Sequence, residues 1–316
     1  MKIVVAGGSG SLGRALCADL VGRGHEVVVL TRSPGRGAGR GAGRDVREVA
    51  WDARTVGPWA DELAATEGDV GVVNLAGRLV DCRPTPRNVE ELRRSRVDAT
   101  TALVAASARL GHPVSRWLQA STTAIWSDAG ERRVTESSPL PDDGLPQMTG
   151  VARPWEESVR GARARHLVVL RTSIVLDAAT PALDRLLLLA RLGLGGPVGP
   201  GDQWFSWIHV DDWLRVARAA LGLAPGVRLP DGPVVAAAPH PVRNRDLMAA
   251  LRRARGRRLA LPTPAPLLRL GAVALRTDPA LALTGRHATS RVLADAGFAF
   301  RHPTLDDALA DLLARP

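Results

Sequence analysis

A glycine-rich turn near the N-terminus constrains the fold of this chain more than any other feature. An apolar run at residues 3–6 ends in glycines, and leucines then recur every four residues from Leu12 to Leu20. The run is typical of a buried parallel strand, and the recurrence is typical of one face of a helix. Between them the chain reads Gly7-Gly8-Ser9-Gly10-Ser11-Leu12-Gly13, with the spacing G-x-x-G-x-x-G.

This strand–turn–helix context predicts a site for a pyrophosphate. Glycine lets the backbone turn tightly and approach phosphates closely, and the N-terminus of the following helix offers free N–H groups and a positive dipole end. A glycine turn without a ligand is the alternative, which its position in a βαβ unit of about 30 residues disfavours. The residues expected to contact a cofactor here are Gly7, Ser9, Gly10, Ser11, Leu12 and Gly13.

The end of the second predicted strand, at residues 26–31, indicates which dinucleotide is bound. Thr31 and Arg32 stand about 20 residues beyond the glycines, where NAD-selective sites place an acid against the ribose hydroxyls. An arginine at this point favours the 2′-phosphate of NADP instead. Asp52, after a third strand, is open between a contact to the adenine and a helix cap.

Strand-like and helix-like segments alternate along the first half of the chain. After the first βαβ unit they are found at 70–75, 89–110, 117–120, 154–164 and 166–173. The alternation predicts an α/β fold with a Rossmann-like, doubly wound parallel sheet. We expect an NADP-binding domain over residues 1–176, completed by segments around 204–222.

From about residue 177 the pattern becomes mostly helical. A short strand at 205–210 precedes a helix that Asp211 is placed to cap. Further helices are predicted at 181–192, 245–255, 264–275, 287–296 and 304–313. Residues 177–316 are therefore predicted to form a smaller, substrate-binding lobe, with a small C-terminal domain at about 243–316.

The composition excludes two kinds of chemistry and one kind of partner. The chain has no tyrosine, and Lys2 is its only lysine, so no mechanism here uses a tyrosine hydroxyl or a lysine away from the N-terminus. The net charge of +10 raises the question of nucleic acid. The arginines are scattered, however, and no stretch alternates basic and stacking residues as single-strand binders do, so no nucleic-acid partner is expected.

Cysteines and apolar runs predict a cytoplasmic protein without a membrane partner. Cys17 and Cys82 are expected to be reduced thiols. The longest apolar stretch, at 186–190, lies between arginines and is too short to cross a bilayer, and the first apolar run is too short for a signal sequence. No group of cysteines and histidines has zinc spacing, so no metal is expected.

Five further motifs accompany the glycine turn along nearly the whole chain. They are Asn74-Leu-Ala-Gly77, Arg191-Leu-Gly-Leu-Gly-Gly-Pro197, Trp207-Ile-His-Val-Asp-Asp212, Pro241-Val-Arg-Asn244 and Gly297-Phe-Ala-Phe-Arg301. As an ordered set they resemble the extended short-chain dehydrogenase/reductase superfamily. The resemblance is greatest to its atypical, epimerase/dehydratase-like subfamily with a small C-terminal domain of poorly defined function.

The resemblance implies NADP(H) binding and a substrate cleft between two lobes. It places Asn74, Ala76 and Gly77 beside the cofactor. It also makes Ser121, after the fifth strand, the active-site hydroxyl that steadies a substrate oxygen, with Thr122 adjacent.

The same resemblance implies a tyrosine that transfers the proton and a lysine that lowers the pKa of that tyrosine. In this chain Met148 and Ala152 stand at those two positions, and neither titrates. His209 is the best replacement on chemical grounds because an unperturbed imidazole titrates near neutrality. The alternative for His209 is a packed histidine bonded to backbone.

We therefore expect an NADP(H)-dependent oxidoreductase or epimerase-like enzyme with an atypical active site. Its partner would be a small carbonyl or carbinol substrate, and a homo-oligomer is compatible with the sequence. Because the usual acid–base pair is missing, a second class stays open. This is a redox-silent Rossmann protein, either a cofactor-binding sensor or a non-redox isomerase or cyclase.

Overall fold

The computed structural model describes residues 1–35, 46–64, 69–178, 183, 187–188, 195–256, 264 and 278–314. The helices predicted at 181–192 and 264–275 lie almost entirely outside these residues. Among the described helices, none has both the length and the apolar character needed to cross a bilayer. The cytoplasmic location stays a prediction.

A seven-stranded sheet organises the first part of the chain. The described strands are β1 (Lys2–Ala6), β2 (Glu26–Thr31), β3 (Val46–Ala50), β4 (Val70–Asn74), β5 (Arg116–Thr122), β6 (Arg133–Val134), β7 (Leu167–Thr172), β8 (Ile174–Leu176), β9 (Trp204–Phe205), β10 (Trp207–His209), β11 (Gly232–Ala236), β12 (Val242–Arg243) and β13 (His287–Ala288). Seven of them pair in the order β11-β7-β5-β4-β1-β2-β3, and every pair is parallel. This order confirms the predicted Rossmann-like sheet.

The sheet positions a ligand site between its two central strands. β1 pairs with β2 on one side and with β4 on the other, so the chain changes direction across the sheet at β1. Open α/β sheets bind ligands at such a switch point, outside the carboxyl ends of the strands. The glycine turn after β1 and the turn after β4 meet there.

Helices cover both faces of the sheet. They are α1 (Ser11–Val21), α2 (Pro86–Ala108), α3 (Thr149–Glu157), α4 (Val210–Ala220), α5 (Asn244–Ala254), α6 (Ala280–Leu283), α7 (Arg291–Asp295) and α8 (Leu305–Ala314). On one face Leu16 and Leu20 of α1 pack with Trp213 of α4. On the other face Leu103 of α2 packs against Trp117 of β5. Burial on both faces explains why the central strands are continuous apolar runs.

The C-terminal part adds a smaller core beside the sheet. In it Leu247 and Leu251 of α5 pack against Leu305 and Leu309 of α8. Two short ladders, β8 with β10 and β6 with β13, join segments before residue 177 to segments after it, whereas β9 pairs with β12 within the C-terminal part. The proposed division at residues 176 and 177 stays a prediction.

Four local predictions were wrong. The helix predicted at 287–296 begins only at Arg291, because His287 and Ala288 pair with β6 as β13. The strand β11 was missed because Gly232 and Pro233 open it, and such residues usually indicate a turn. Helix α3 begins at Thr149, so Pro154 lies inside it and does not start it. The cap of α4 is His209, whose Nδ1 accepts the backbone N–H of Asp211, so Asp211 itself lies in the first turn.

Candidate active site

Two glycines of the turn after β1 are required by close backbone packing. Gly7 has φ +83°, and a Cβ there would lie 2.6 Å from the carbonyl carbon of Leu75, in the turn after β4. A Cβ on Gly13 would lie 2.3 Å from the carbonyl oxygen of Gly7. These glycines allow the first turn of α1, the turn itself and the turn after β4 to pack in direct contact.

Gly10 differs, because the space beside it is open. A Cβ on Gly10 would meet only the carbonyl oxygen of Gly7, at 3.4 Å, and both Gly10 and Ser9 are exposed. Ser11 and Leu12 follow as the first residues of α1, whose first turn has no acidic side chain. An open glycine at a free helix N-terminus fits the pyrophosphate of a dinucleotide, whose approach a Cβ would obstruct.

The residues predicted to contact the adenosine half lie on the neighbouring strands. Thr31 ends β2, and Arg32 is exposed immediately after it. Asp52 is also exposed, but its carboxylate accepts hydrogen bonds from the backbone N–H groups of Arg54 and Thr55 and from the Thr55 hydroxyl. These bonds lower the pKa of Asp52 to about 2. The Asp52 side chain therefore orders a local turn at residues 52–55 and does not cap a helix, since the next 3-10 helix begins at Pro58. Its contact to the adenine stays a prediction.

Asn74 shapes the turn after β4 from inside the protein. Its side chain is fully buried and donates to Thr100 Oγ1 at 2.9 Å and to Gln119 Oε1 at 3.1 Å. Its Oδ1 accepts the backbone N–H of Ala76 at 3.1 Å. Gly77, one residue further, is exposed. Asn74 thus orders the segment that carries Ala76 and Gly77 to the sheet edge.

Ser121 belongs to a buried charged cluster near the end of β5. Its hydroxyl donates to Glu156 Oε1 at 2.5 Å. Arg171 of β7 holds the same carboxylate with two hydrogen bonds of 2.9 Å, one to each oxygen. The guanidinium of Arg171 also lies 5.0 Å from the centre of the Trp126 ring. The carboxylate is thus fully engaged in a bidentate ion pair away from bulk water.

Thr122, the last residue of β5, has a different environment. It is half-buried, and its Oγ1 accepts the backbone N–H of Ala124 at 3.1 Å. On helix α3, Ala152 is buried, and so is Met148 just before the first turn. The two positions that the resemblance assigns to a proton-transferring pair therefore contain apolar side chains only.

His209 faces the C-terminal segment. Its side chain has no solvent exposure, its Nε2 lies 3.1 Å from Asp311 Oδ2, and its ring stacks on His302 at 3.8 Å between centroids. Together with its bond to the N–H of Asp211, these contacts correspond to the packed alternative. A catalytic role for His209 would require the imidazole to leave these contacts. That role stays a prediction.

The donor atoms of His209, Asp211, His302 and Asp311 all lie within 4.8 Å of one another, which raises the question of a metal ion. The two imidazole planes face each other with a tilt of 32°. Metal ligation uses the in-plane lone pairs of the rings, and lone pairs of two facing rings run side by side instead of converging. Within the cluster, His209 Nδ1 accepts the backbone N–H of Asp211, and His302 Nε2 lies 3.9 Å from Asp211 Oδ2.

Glu156 and Arg171 were not predicted from the sequence. A signal for them existed, since Arg171 interrupts the apolar run of β7 and a buried arginine requires a partner. Glu156 also follows Ala152 by four residues, which places it on the same face of α3.

The sheet order, the open glycine turn at its switch point and the hydroxyls at the end of β5 define a class, the dinucleotide-binding Rossmann proteins of the dehydrogenase and epimerase type. A model of the NAD dependent epimerase/dehydratase family matches residues 3–145, and a model of a domain of unknown function (DUF1731) matches residues 263–312. These matches confirm the resemblance noted in the sequence.

Similar proteins extend this likeness over the whole chain. The epimerase family protein SDR39U1 of Mus musculus is 30% identical over 99% of this chain and 100% of its own length. Epimerase family protein Mb2239 of Mycobacterium bovis is 32% identical over 99% of this chain and 98% of its own. The crystal structure of human SDR39U1 (isoform 2) with NADPH has a TM-score of 0.82, 28% identity and complete coverage of both chains. The chain belongs to this epimerase family, and the predicted nicotinamide cofactor is confirmed at the level of the family.

Proposed function

We propose that this protein is an NADP(H)-dependent enzyme that moves hydride between the nicotinamide and a carbonyl or carbinol carbon of a small substrate. The observation that carries the proposal is the glycine turn, which leaves open space at Gly10 on the same sheet edge as the hydroxyls ending β5. Membership of the NAD dependent epimerase/dehydratase family supports it.

The residues that would hold the cofactor follow from their positions. Backbone N–H groups of the turn at Gly10 and Ser11 would bind the pyrophosphate, and Arg32 would bind the 2′-phosphate. The NADPH bound to the human relative supports this choice of dinucleotide. When bound, the nicotinamide supplies or accepts the hydride, so no side chain is needed for that step.

The two neighbouring hydroxyls are suited to different tasks. The Ser121 hydroxyl donates its hydrogen bond to Glu156. It therefore orders the end of β5 and has no second hydrogen with which to bind a substrate oxygen. Thr122 accepts a hydrogen bond from the N–H of Ala124 and keeps its own proton. We therefore assign Thr122 the donation of a hydrogen bond to the substrate oxygen, with water as the proton source.

Cofactor titration tests the first half of the proposal. NADPH should bind more tightly than NADH, as measured by calorimetry. Arg32→Ala should weaken NADPH binding about tenfold, equivalent to about 1.4 kcal/mol, because one phosphate contact is lost. NADH binding should hardly change. Equal affinity of the wild type for both cofactors would remove the role of Arg32, and failure to bind either would reject the proposal.

Kinetics of the two hydroxyl variants test the second half. On a carbonyl substrate found by panel screening, Thr122→Val should lower kcat about 100-fold with little change in KM, because a donor to the reacting oxygen is lost while the shape is kept. Ser121→Ala should reduce kcat less and the thermal stability more. A larger loss of kcat in Ser121→Ala than in Thr122→Val would show that Ser121, and not Thr122, donates to the substrate oxygen.

The redox-silent alternative has its own support, because Met148 and Ala152 are buried and cannot titrate. It predicts that NADPH binds and that its absorbance stays constant during any turnover. Stoichiometric loss of the reduced-nicotinamide band with substrate would reject this alternative.

A further inference from the structure

Arg286 is a buried cation whose partners do not balance its charge. It lies just before β13, and 8% of its surface is exposed. Its Nη1 donates to the carbonyl oxygen of Ser127 at 2.7 Å and to Thr284 Oγ1 at 3.2 Å, and lies 3.5 Å from the sulfur of Met148. All of these neighbours are uncharged.

The remaining donors of Arg286 have no protein acceptor in the described part of the chain. Among the described residues, no carboxylate forms an ion pair with Arg286, and its hydrogen bonds all use Nη1. Nε and Nη2 are not among the fully buried polar atoms that lack a partner, so solvent still reaches this edge of the guanidinium. Burial lowers the pKa of Arg286 to about 10, and the charge of Asp128 offsets only part of that effect. A buried guanidinium without an anion is costly, so folded proteins normally supply one.

Two other arginines, the buried Arg171 and the half-buried Arg96, show how this chain satisfies such a group. Arg171 has both oxygens of Glu156. Arg96, whose pKa burial also lowers to about 10, uses both terminal nitrogens on backbone carbonyls, those of Leu92 and Arg78. Arg286 uses one terminal nitrogen only, which leaves an edge of its planar fork available to an oxyanion.

The position of Arg286 connects it to the candidate active site. Ser127 closes the short 3-10 helix Thr123–Trp126 that directly follows β5, and Met148 precedes the first turn of α3. Glu156, eight residues after Met148 and about 12 Å along a helix axis, contacts Ser121. Arg286 thus brings a cation from the C-terminal part of the chain to the two segments that flank the end of β5.

We propose that Arg286 binds an oxyanion of the substrate, a phosphate or a carboxylate, so that the substrate is an anionic carbonyl or carbinol compound. This inference rests on the proposed function, because it gives that reaction its substrate class. Arginine suits the task since its fork matches both phosphate and carboxylate geometry. The anion would balance the guanidinium and hold the reacting carbon near Thr122.

The test uses the full-length protein saturated with NADP, so that the phosphate sites of the cofactor are filled. Thermal unfolding is followed while sodium phosphate, or in a second series sodium acetate, replaces chloride at constant ionic strength. An anion that binds the folded state raises the Tm, and the increase grows with the logarithm of the anion concentration once that concentration exceeds the Kd. Arg286→Gln is compared with Arg96→Gln, which removes a half-buried arginine whose two terminal nitrogens are satisfied.

We expect at least one anion to raise the Tm of the wild type and of Arg96→Gln, and to leave Arg286→Gln unchanged. If only phosphate raises the Tm, the substrate is a phosphorylated compound. If only acetate raises the Tm, the substrate is a carboxylate. An equal response in Arg286→Gln, or no response to either anion in the wild type, would overturn the inference. If Arg286→Gln does not fold, Arg286→Lys serves, with the expectation of at least tenfold weaker binding, and unchanged binding would overturn the inference.

Turnover gives a second readout on the same variants. Carbonyl compounds are assayed in pairs that share a carbon skeleton and differ by one phosphate ester or one carboxylate. The anionic member should have the higher kcat/KM in the wild type, and Arg286→Gln should lose that preference mainly through KM. NADPH affinity is measured in parallel. Failure of the wild type to bind NADPH would reject the proposed function. Normal NADPH binding without a preference for the anionic substrates would reject this inference alone.

Discussion

The glycines in the turn after β1 have different environments, which the spacing G-x-x-G-x-x-G does not distinguish. Gly7 and Gly13 are required by backbone contacts at 2.6 Å and 2.3 Å from a hypothetical Cβ. Gly10 has no such contact and faces open space. We therefore expect the first two glycines to be needed for folding, and we propose that the third allows a ligand to approach the backbone.

Alanine at Gly10 and at Gly13 should separate these two tasks. Gly10→Ala is expected to unfold at nearly the wild-type temperature and to bind NADPH at least about tenfold more weakly, about 1.4 kcal/mol. Gly13→Ala should lose about 1–3 kcal/mol of stability, because its Cβ would overlap backbone that has little room to move. Thermal unfolding and calorimetric titration measure both effects. Normal affinity in Gly10→Ala would contradict the assignment.

At the scale of elements, charged side chains connect strands and helices that no hydrophobic pattern would pair. Glu156 of α3 joins β5 through Ser121 and β7 through Arg171. Glu62, in the 3-10 helix Pro58–Leu63, joins β1 through Lys2 and β3 through Arg47. The only lysine of the chain thus has a structural partner.

Removing the charge of Glu156 should destabilise the protein strongly. Glu156→Gln leaves Arg171 buried without its anion, and breaking such a pair costs about 3–5 kcal/mol. Glu157→Gln, on the exposed neighbour, is the matched control and should stay within about 0.5 kcal/mol of the wild type. Urea denaturation at neutral pH gives both values. Similar stability of the two variants would show that the ion pair adds nothing.

The contribution of Glu62 should depend on pH. The Glu62 carboxylate lies 2.8 Å from Lys2 Nζ and 2.7 Å from Arg47 Nη2. The hydrogen bond from Arg47 is the main reason that the pKa of Glu62 falls to about 2. A folded pKa below the unfolded value adds stability above about pH 4.3, which is lost as the pH falls through about 2.

Glu62→Gln should therefore cost about 1–2 kcal/mol at pH 7 and nearly nothing at pH 2, after allowance for partial exposure of the group. The control is Asp61→Asn, an exposed residue on the same 3-10 helix, which should show no such trend. Denaturation curves at several pH values measure the difference. A cost independent of pH would contradict the electrostatic explanation.

Across the whole molecule, a buried carboxylate joins the C-terminal segment to the sheet. Asp212 of α4 is fully buried and accepts the backbone N–H groups of Arg301 at 2.8 Å and His302 at 2.9 Å. The cap of α4, His209, immediately precedes the helix and contacts Asp311 of α8. The start of α4 thus holds the segment that packs beside the second core.

Asp212→Asn should loosen this attachment. An amide nitrogen would replace one oxygen and meet a backbone N–H, a loss of about 2–3 kcal/mol. Hydrogen exchange should quicken in residues 297–314 while NADPH affinity stays unchanged, because the glycine turn lies elsewhere on the sheet. Asp306→Asn, an exposed carboxylate on α8, is the control. Unchanged exchange in Asp212→Asn would show that apolar packing alone holds the segment.

Much of the fold was predictable because its signals are local. The apolar runs of β1, β2 and β4, the four-residue spacing of α1 and the glycine turn between them each involve a few neighbouring residues. The start of α3 was mispredicted and β11 was missed, because Pro154 and Gly232 have local preferences that long-range contacts override. Thr149, the first residue of α3, donates to the carbonyl oxygen of Ile125, and β11 pairs with β7.

The candidate site was only partly predictable. Ser121 and Thr122 were expected at a strand end, and both lie in the last two positions of β5. Their different roles were not visible, since they depend on Glu156, 35 residues away from Ser121 in the chain, and on the N–H of Ala124.

The sequence by itself determined the alternation of strands and helices, the presence of a glycine turn and the absence of a tyrosine–lysine pair. These follow from side-chain periodicity, from backbone freedom and from the absence of a residue type, none of which requires tertiary contacts. Only the tertiary structure decided that Glu156 pairs with Arg171, that His209 faces the C-terminal segment and that Arg286 is buried without a carboxylate among the described residues. The physical reason is that the energy of a buried charge depends on its partners, and packing brings those partners from distant parts of the chain.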